Sequence, residues 1–304
     1  MLVEIKKLID NYVECWMKGE SRIKADSKSN YVAINTTSCE SKYLIVQHYN
    51  IHDIPLEILR ELPVLLVKTH KAQNVNHDHK YLWAWTIQLV NELKDELAFL
   101  KRDVELLNQM NLVFRVNLLP IAQITSIFPE LSDVFAKDFI VSAHLAFPLL
   151  ERMLKTMCED HVDVDGTVRK QFEVPLGNRV IKYGKDRKRI NRVGHLLYLF
   201  YKEYASTDLR KNLEKFCNLC RGVYGVDKGA YMFKFIDEWR NILIHGERFW
   251  PTMNATIINL VTLILLHEVP YDKYFKARER ILRSIEFWNS EGIRTPWIFY
   301  PPKL

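Results

Sequence analysis

Glycine and proline are scarce in this chain, 10 and 11 among 304 residues, while apolar residues make up 48% and charged residues 26%. That balance belongs to a packed soluble protein and excludes a largely disordered one. Cysteine is sparse as well. Cys15, Cys39, Cys158, Cys217 and Cys220 form an odd, scattered set in a chain too long to depend on disulfides for its core, which points to a reducing cytosol. No export signal is legible at the start, where charges interrupt Met1-Leu2-Val3-Glu4-Ile5-Lys6-Lys7 before an apolar core can form. Low-complexity tracts and internal repeats are missing too. The most apolar stretch, 255–266, is interrupted by Thr256, Asn259 and Thr262 and is shorter than the roughly 20 residues of a membrane span, so it reads as a buried helix. There is no phosphate-cradling glycine loop, no Gly-x-Ser-x-Gly elbow and no His-Glu-x-x-His. Those absences remove P-loop nucleotide hydrolysis, lipase-type acyl transfer and zinc proteolysis by these motifs.

What is present is helical periodicity. The length suits two domains at about 100–200 residues each, and the expected boundary lies near Ala136. In the first part, 1–136, Ile5, Leu8, Ile9, Tyr12, Val13 and Trp16 mark an amphipathic helix over 3–18, with Gly19 where it should stop. Tyr31-Val32-Ala33-Ile34 and Tyr43-Leu44-Ile45-Val46 are short β-favouring runs that could pair as a small hairpin. Leucines and other apolar residues spaced by three or four over 80–111, with no Gly or Pro between them, predict one long helix. The second part, 137–304, has the cadence of an antiparallel helix bundle: helices at 138–160, 192–205, 208–222, 228–245 and 253–269, an insertion at 162–191 and a closing helix at 271–290. The fold class expected is therefore mainly α.

The net charge of +6 is moderate, but it is unevenly spread. Arg179, Lys182, Lys185, Arg187, Lys188, Arg189 and Arg192 crowd one segment with Asp186 as its single acid, and Gly184 marks part of it as loop. RNA could dock there by displacing counterions, or the segment could be a solvated connection. On a helix over 228–245, Met232, Phe235, Ile236, Trp239, Ile242 and Leu243 share one face. Lys234, Asp237, Arg240, Asn241 and His245 lie opposite, with Asp237, Asn241 and His245 one turn apart in succession. Phe233 and Ile244 fall among the polar groups, which makes sense if a second protomer covers them. A guanidinium that can hold two phosphate oxygens beside an imidazole able to transfer protons near neutral pH suits cleavage of an RNA phosphodiester by its own 2′-hydroxyl.

These residues carry a family likeness. Trp239-Arg240-Asn241-Ile242-Leu243-Ile244-His245-Gly246 resembles the motif of the HEPN superfamily, an Arg, a polar residue, a few mostly apolar residues and a His toward the end of a bundle helix. Phe147-Pro148-Leu149-Leu150-Glu151-Arg152-Met153-Leu154 is similar to the first bundle helix of larger HEPN proteins of prokaryotic defence. The resemblance covers roughly 138–270 and implies a metal-independent endoribonuclease, without cofactor, that works as a homodimer and leaves a 2′,3′-cyclic phosphate. It makes Arg240 the phosphate-binding cation, Asn241 the polar second position and His245 the proton-transfer residue, with Asp237 and Glu151 as auxiliaries. A role in antiviral defence or beside an antitoxin partner is implied by the family alone.

Other readings stay open on the residues. Arg240 and Asp237 could form a surface pair while His245 only caps a helix, or the bundle could bind RNA or a nucleotide without cutting it. A second Arg-to-His pair, Arg189 and His195, fails on context, because Ile190 and Gly194 interrupt it within the basic segment. Cys217 and Cys220 lack the further ligands zinc needs and read as buried filler. His77-Asp78-His79 reads as a solvated helix cap rather than a metal site, Glu159 as a surface acid, and His144 and His195 as structural.

Overall fold

Three- and four-residue apolar spacing becomes helix along most of the computed structural model, which describes residues 1–25, 44–72, 75–118, 138–226, 231–246 and 250–290. In chain order the helices are α1 (Leu2–Ala25), α2 (Leu56–Leu59), α3 (Leu62–Leu66), α4 (His77–Glu92), α5 (Ala98–Arg102), α6 (Val104–Leu118), α7 (Asp138–Met157), α8 (Val193–Leu199), α9 (Thr207–Tyr224), α10 (Lys234–Ile244), α11 (Pro251–Glu268) and α12 (Tyr271–Ser290). Short 3-10 turns occupy Ile51–Asp53 and Val67–Ala72, and a π-helical turn Phe200–Tyr204. Between α7 and α8 stands a hairpin of β1 (Phe172–Leu176) and β2 (Arg179–Tyr183), the only sheet among the described residues. The protein is mainly α.

A helix that is apolar on every side has to be surrounded, and α11 is. Proline starts it, and every residue from Ala255 to Leu266 is buried. It packs against α7 and against α3 and α4 from the first part of the chain. Its polar residues find partners inside: Asn254 donates to Asn117 and Ser142 at 2.9 and 3.0 Å, and Asn259 accepts from the Trp83 indole at 2.8 Å. Arg60 reaches across from the α2–α3 turn to cap the far end of α11, donating to the Leu266 and Val269 carbonyls at 3.0 and 2.8 Å. Residues before and after the expected boundary thus join one hydrophobic core, and Ala136 itself lies outside the described residues. No single helix among the described residues is long and apolar enough to cross a membrane.

Several local expectations are corrected. The segment 80–111 is not one helix but a helical turn-back: α4 ends at Glu92, α5 is a single short turn, and α6 runs back alongside α4, with Asn91 and Asn111 exchanging side-chain hydrogen bonds at 2.8 and 3.0 Å. A straight helix of that length would extend roughly 48 Å and leave half its leucines without a core. Asp103 breaks it, capping the Leu106 N–H at 3.1 Å and pairing with both Arg152 donors at 2.6 Å. The apolar rhythm survives the break because Leu97 and Leu100 stay buried in the turn. At the N-terminus α1 continues past Gly19 to Ala25.

The hairpin expected early in the chain is absent where it can be seen. Tyr31–Ile34 and Tyr43 lie outside the described residues, while Leu44, Ile45 and Val46 form a turn whose N–H groups all donate to the buried Asp78 carboxylate at 2.8–3.0 Å. The strands are instead in the basic insertion. Phe172 pairs with Tyr183, their rings stacked at 4.7 Å, and Leu176 pairs with Arg179 around a Gly177-Asn178 turn in which Gly177 has φ of 59°. Of the cysteines, Cys158, Cys217 and Cys220 are free and buried as expected, but Cys15 is disulfide-bonded, a pairing that the reading of a reducing compartment does not anticipate.

Candidate functional site

The motif helix α10 begins at Lys234, later than the expected 228, and residues 227–230 lie outside the described set. Its core face is as read, with Phe235, Ile236, Trp239 and Leu243 buried and Trp239 edge-on to Tyr224 at 4.8 Å. The late start moves Phe233 off the helix into the position before it. There it is fully buried, edge-on to the Tyr201 ring at 6.0 Å, so the expectation that it meets a partner protomer is overturned. Ile244 is 57% exposed, and Val141 on the neighbouring α7 is 58% exposed.

Arg240 sits where three segments meet. Its guanidinium donates to a Glu151 carboxylate oxygen on α7 at 3.3 Å and to the Asn191 carbonyl below the hairpin at 3.1 Å. The same Glu151 binds Lys155 at 2.9 Å, one turn along α7. Glu151 is therefore brought to the motif, whereas Glu159 pairs with Arg102 at 2.8 Å, away from it. Asn241 is exposed on the outer face of α10. His245 is the exposed C-cap, its N–H donating to the Asn241 carbonyl at 3.0 Å, and Gly246 at φ of 70° turns the chain away. Helical geometry puts His245 about 140° around the axis from Arg240. The two flank the Asn241 surface from either side rather than touching each other.

Asp237 has a different role from the auxiliary one expected. Its carboxylate accepts the Gly194 N–H at 2.8 Å and the Tyr231 hydroxyl, and burial raises its pKa, opposed by these hydrogen bonds and by Arg192 and Arg240. This ties the start of α8 to α10, and it excludes the surface pairing of Asp237 with Arg240, whose carboxylate partner is Glu151. Gly194 is required by the approach: a Cβ there would stand 2.7 Å from both the Phe233 carbonyl and the Tyr231 hydroxyl. Next to it the buried His195 takes the Tyr183 hydroxyl at 2.8 Å, and burial, followed by Arg192 and Arg187, pushes its pKa down to about 4. His195 is structural, as read, and Arg189 is engaged elsewhere with Asp165 at 2.6 Å.

The basic segment is half hairpin and half the turns that follow it. Arg179, Lys182, Lys185, Arg187, Lys188, Arg189 and Arg192 are all exposed, with Lys182 facing Glu173 across the strands at 3.5 Å. Between the base of the hairpin and α10 lies a pocket of about 190 Å³ lined by Leu176, Asn191, Arg192, Tyr231, Lys234, Asp237, Glu238, Arg240 and Asn241. Tyr231 and Gly194 were not singled out from the sequence. Gly194 gave a signal, as a glycine opening a helix where no turn is needed.

In the His77-Asp78-His79 cluster Asp78 and His79 are buried rather than solvated, and His77 is half-buried. Asp78 holds the turn described above, and His79 stacks on His70 at 4.9 Å inside the core. Its Nδ1 accepts from the Asn259 amide at 3.2 Å and its Nε2 donates to Thr69 at 3.2 Å. Burial lowers His70 well below the usual histidine range and His79 to about 4. Among the described residues no group of three or more His, Cys, Asp or Glu is placed to hold a metal ion. In comparisons with known proteins, no family model, no curated protein and no solved structure matches the chain.

Proposed function

We propose that this protein is an endoribonuclease of HEPN-like type whose site is the outer face of α10. The observation that carries this reading is the placement of Arg240 and an exposed, helix-terminating His245 on either side of Asn241, beside a hairpin and its following turns that together present seven exposed cations. In the reaction the 2′-hydroxyl of one nucleotide attacks its own 3′-phosphate. The proton leaves the 2′-oxygen, the bond to the 5′-oxygen of the next nucleotide breaks, and that oxygen is protonated, giving a 2′,3′-cyclic phosphate and a free 5′-hydroxyl. His245 transfers one of these protons. Arg240 stabilises the charge that builds on the phosphorane, and Glu151 holds its guanidinium in place until the phosphate competes for it. Guanidinium, amide and imidazole can perform this chemistry without a metal.

Purified protein incubated with labelled single-stranded RNA in EDTA tests the reading, with products resolved by their ends. Cyclic-phosphate products from the wild type, and none from His245→Ala or Arg240→Ala, is the expected result. The exposed hairpin also favours a second reading, an RNA-binding module that does not cut. Under that reading all three proteins bind RNA equally and leave it intact. A second copy of the chain covering Ile244 and Val141 would set two such faces side by side, and we include a homodimer in the proposal.

A further inference from the structure

The pocket at the foot of the hairpin adjoins the cleavage face, sharing Arg240 and Asn241 with it, and adds parts that the cleavage step does not use, Arg192 and Leu176 among them. Arg192 stands on its hairpin-side rim and Arg240 on its helix side, while Leu176 supplies an apolar wall. Its acids are already engaged: Asp237 by the Gly194 N–H and the Tyr231 hydroxyl, and Glu238 by Lys234 at 3.0 Å. The cations of the lining, Arg192, Lys234 and Arg240, outnumber its acids, Asp237 and Glu238, which suits an anion. Its volume, about 190 Å³, is below the roughly 300 Å³ where drug-sized sites begin and is of the order of one nucleobase. Asn241, which lines it, lies one turn before His245, a rise of roughly 6 Å, comparable to the step between nucleotides of an extended strand. The Asp237–Gly194 bond clamps its two sides together, so the pocket exists before any ligand arrives.

We propose that this pocket is the subsite for the nucleotide next to the cleaved bond, with Arg192 on its phosphate and Leu176 against its base. The subsite deepens the reading of the α10 face as an RNA site, on which it rests, and gives the strand a path from the basic segment through the pocket to His245. Binding of a short labelled single-stranded oligoribonucleotide, 2′-O-methylated at every position so that it cannot be cut, measures it directly. Arg192→Ala should weaken binding roughly tenfold and flatten its dependence on salt by about one unit of slope. Arg192→Lys should recover part of the loss, and Leu176→Glu should weaken binding at least as much. Thermal melts of each variant separate loss of the pocket from loss of the fold. In cleavage assays KM should rise with kcat nearly unchanged. Wild-type affinity in both Arg192→Ala and Leu176→Glu overturns the subsite while leaving the nuclease reading to the His245→Ala comparison. A wild type that binds through Arg192 but never cuts keeps the subsite and removes the nuclease.

Discussion

Two regions of this protein gather histidine with polar neighbours, and they have opposite physical characters. Around α4 and α11, His70, His79, Asn259, Thr69 and Thr256 are buried and hydrogen-bonded to one another or to nearby backbone. On α10, Asn241 and His245 face solvent, and Arg240 is held in reach of it by Glu151 and Asn191. The first arrangement has most of its donors and acceptors matched internally, His70 Nε2 being an exception, and it is closed off from solvent, so it specifies packing. Among the described residues the second leaves the Asn241 amide and the His245 imidazole without a side-chain hydrogen bond at the surface, where a polymer could reach them. In sequence the two looked alike, and His77-Asp78-His79 looked the more cluster-like of the two.

Acid sharpens the contrast most. The buried rings of His79 and His195, each with a pKa of about 4, stay neutral in the folded protein, while in the unfolded chain they protonate near 6.5. Above about pH 7 both states are neutral and these groups leave stability unchanged. As pH falls from about 6.5 toward 4 only the unfolded state gains protons, so stability is lost across that window, by up to about 3 kcal/mol for a fully buried ring. His267, also lowered to about 4 by burial, adds to the same loss, while Asp78, Asp237 and Glu268, whose carboxyls are raised by burial, titrate with the opposite sign. The histidine share is therefore read as a difference: urea unfolding of wild type and His79→Gln should converge between pH 7 and pH 4, by a margin on the order of 3 kcal/mol. Parallel curves would show that His79 does not stay neutral in the fold.

The next largest effects set one region directly against the other. Under the nuclease reading, His245→Ala should lower the cleavage rate by about 10²–10⁴-fold, the usual worth of a general acid or base, with a melting temperature close to wild type because the ring is exposed. Asn259→Ala should do the reverse. It strands the Trp83 indole and the His79 ring in the core and should cost about 3 kcal/mol of unfolding free energy, while activity per folded molecule holds. If His245→Ala unfolds the protein, or Asn259→Ala abolishes cleavage in the folded fraction, the division of the two regions fails.

Legibility in the sequence followed the same division. Helix faces were readable because burial writes itself as a period: Phe235, Ile236, Trp239 and Leu243 are where the spacing put them, and α11 is buried as its composition required. Breaks were less readable, because Leu97 and Leu100 keep the rhythm through a turn that Asp103 imposes by pairing with Arg152, about fifty residues later in the chain. The basic hairpin was hidden by its charges. In its strands only Phe172, Val174 and Tyr183 are buried, too few apolar positions to stand out in a segment that goes on to carry seven cations. At the site, both Glu151 and Asp237 were expected as auxiliaries of the motif, and the structure brings Glu151 to Arg240 but ties Asp237 to Gly194 and Tyr231. Both are acids on helix surfaces in sequence, and what separates them is that Gly194 and Tyr231 arrive at one and Arg240 at the other. Contacts between distant segments decide such cases, and no local pattern records them.

The smallest effect predicted belongs to the surface alone. Lys182 is 50% exposed and faces Glu173 at 3.5 Å, an exposed cross-strand pair of the kind worth about 0–1 kcal/mol. Lys182→Ala should therefore leave the melting temperature almost unmoved. Under the RNA reading the same lysine is one of the charges that displace counterions, so its loss should weaken oligoribonucleotide binding a few-fold at low salt, with the difference shrinking as salt rises. Stability and binding thus respond separately to one side chain. A variant that loses stability but keeps its salt-dependent affinity would mean that the cation serves the hairpin and not a polyanion, and the electrostatic support for the α10 face would then have to come from Arg192 and Arg240 alone.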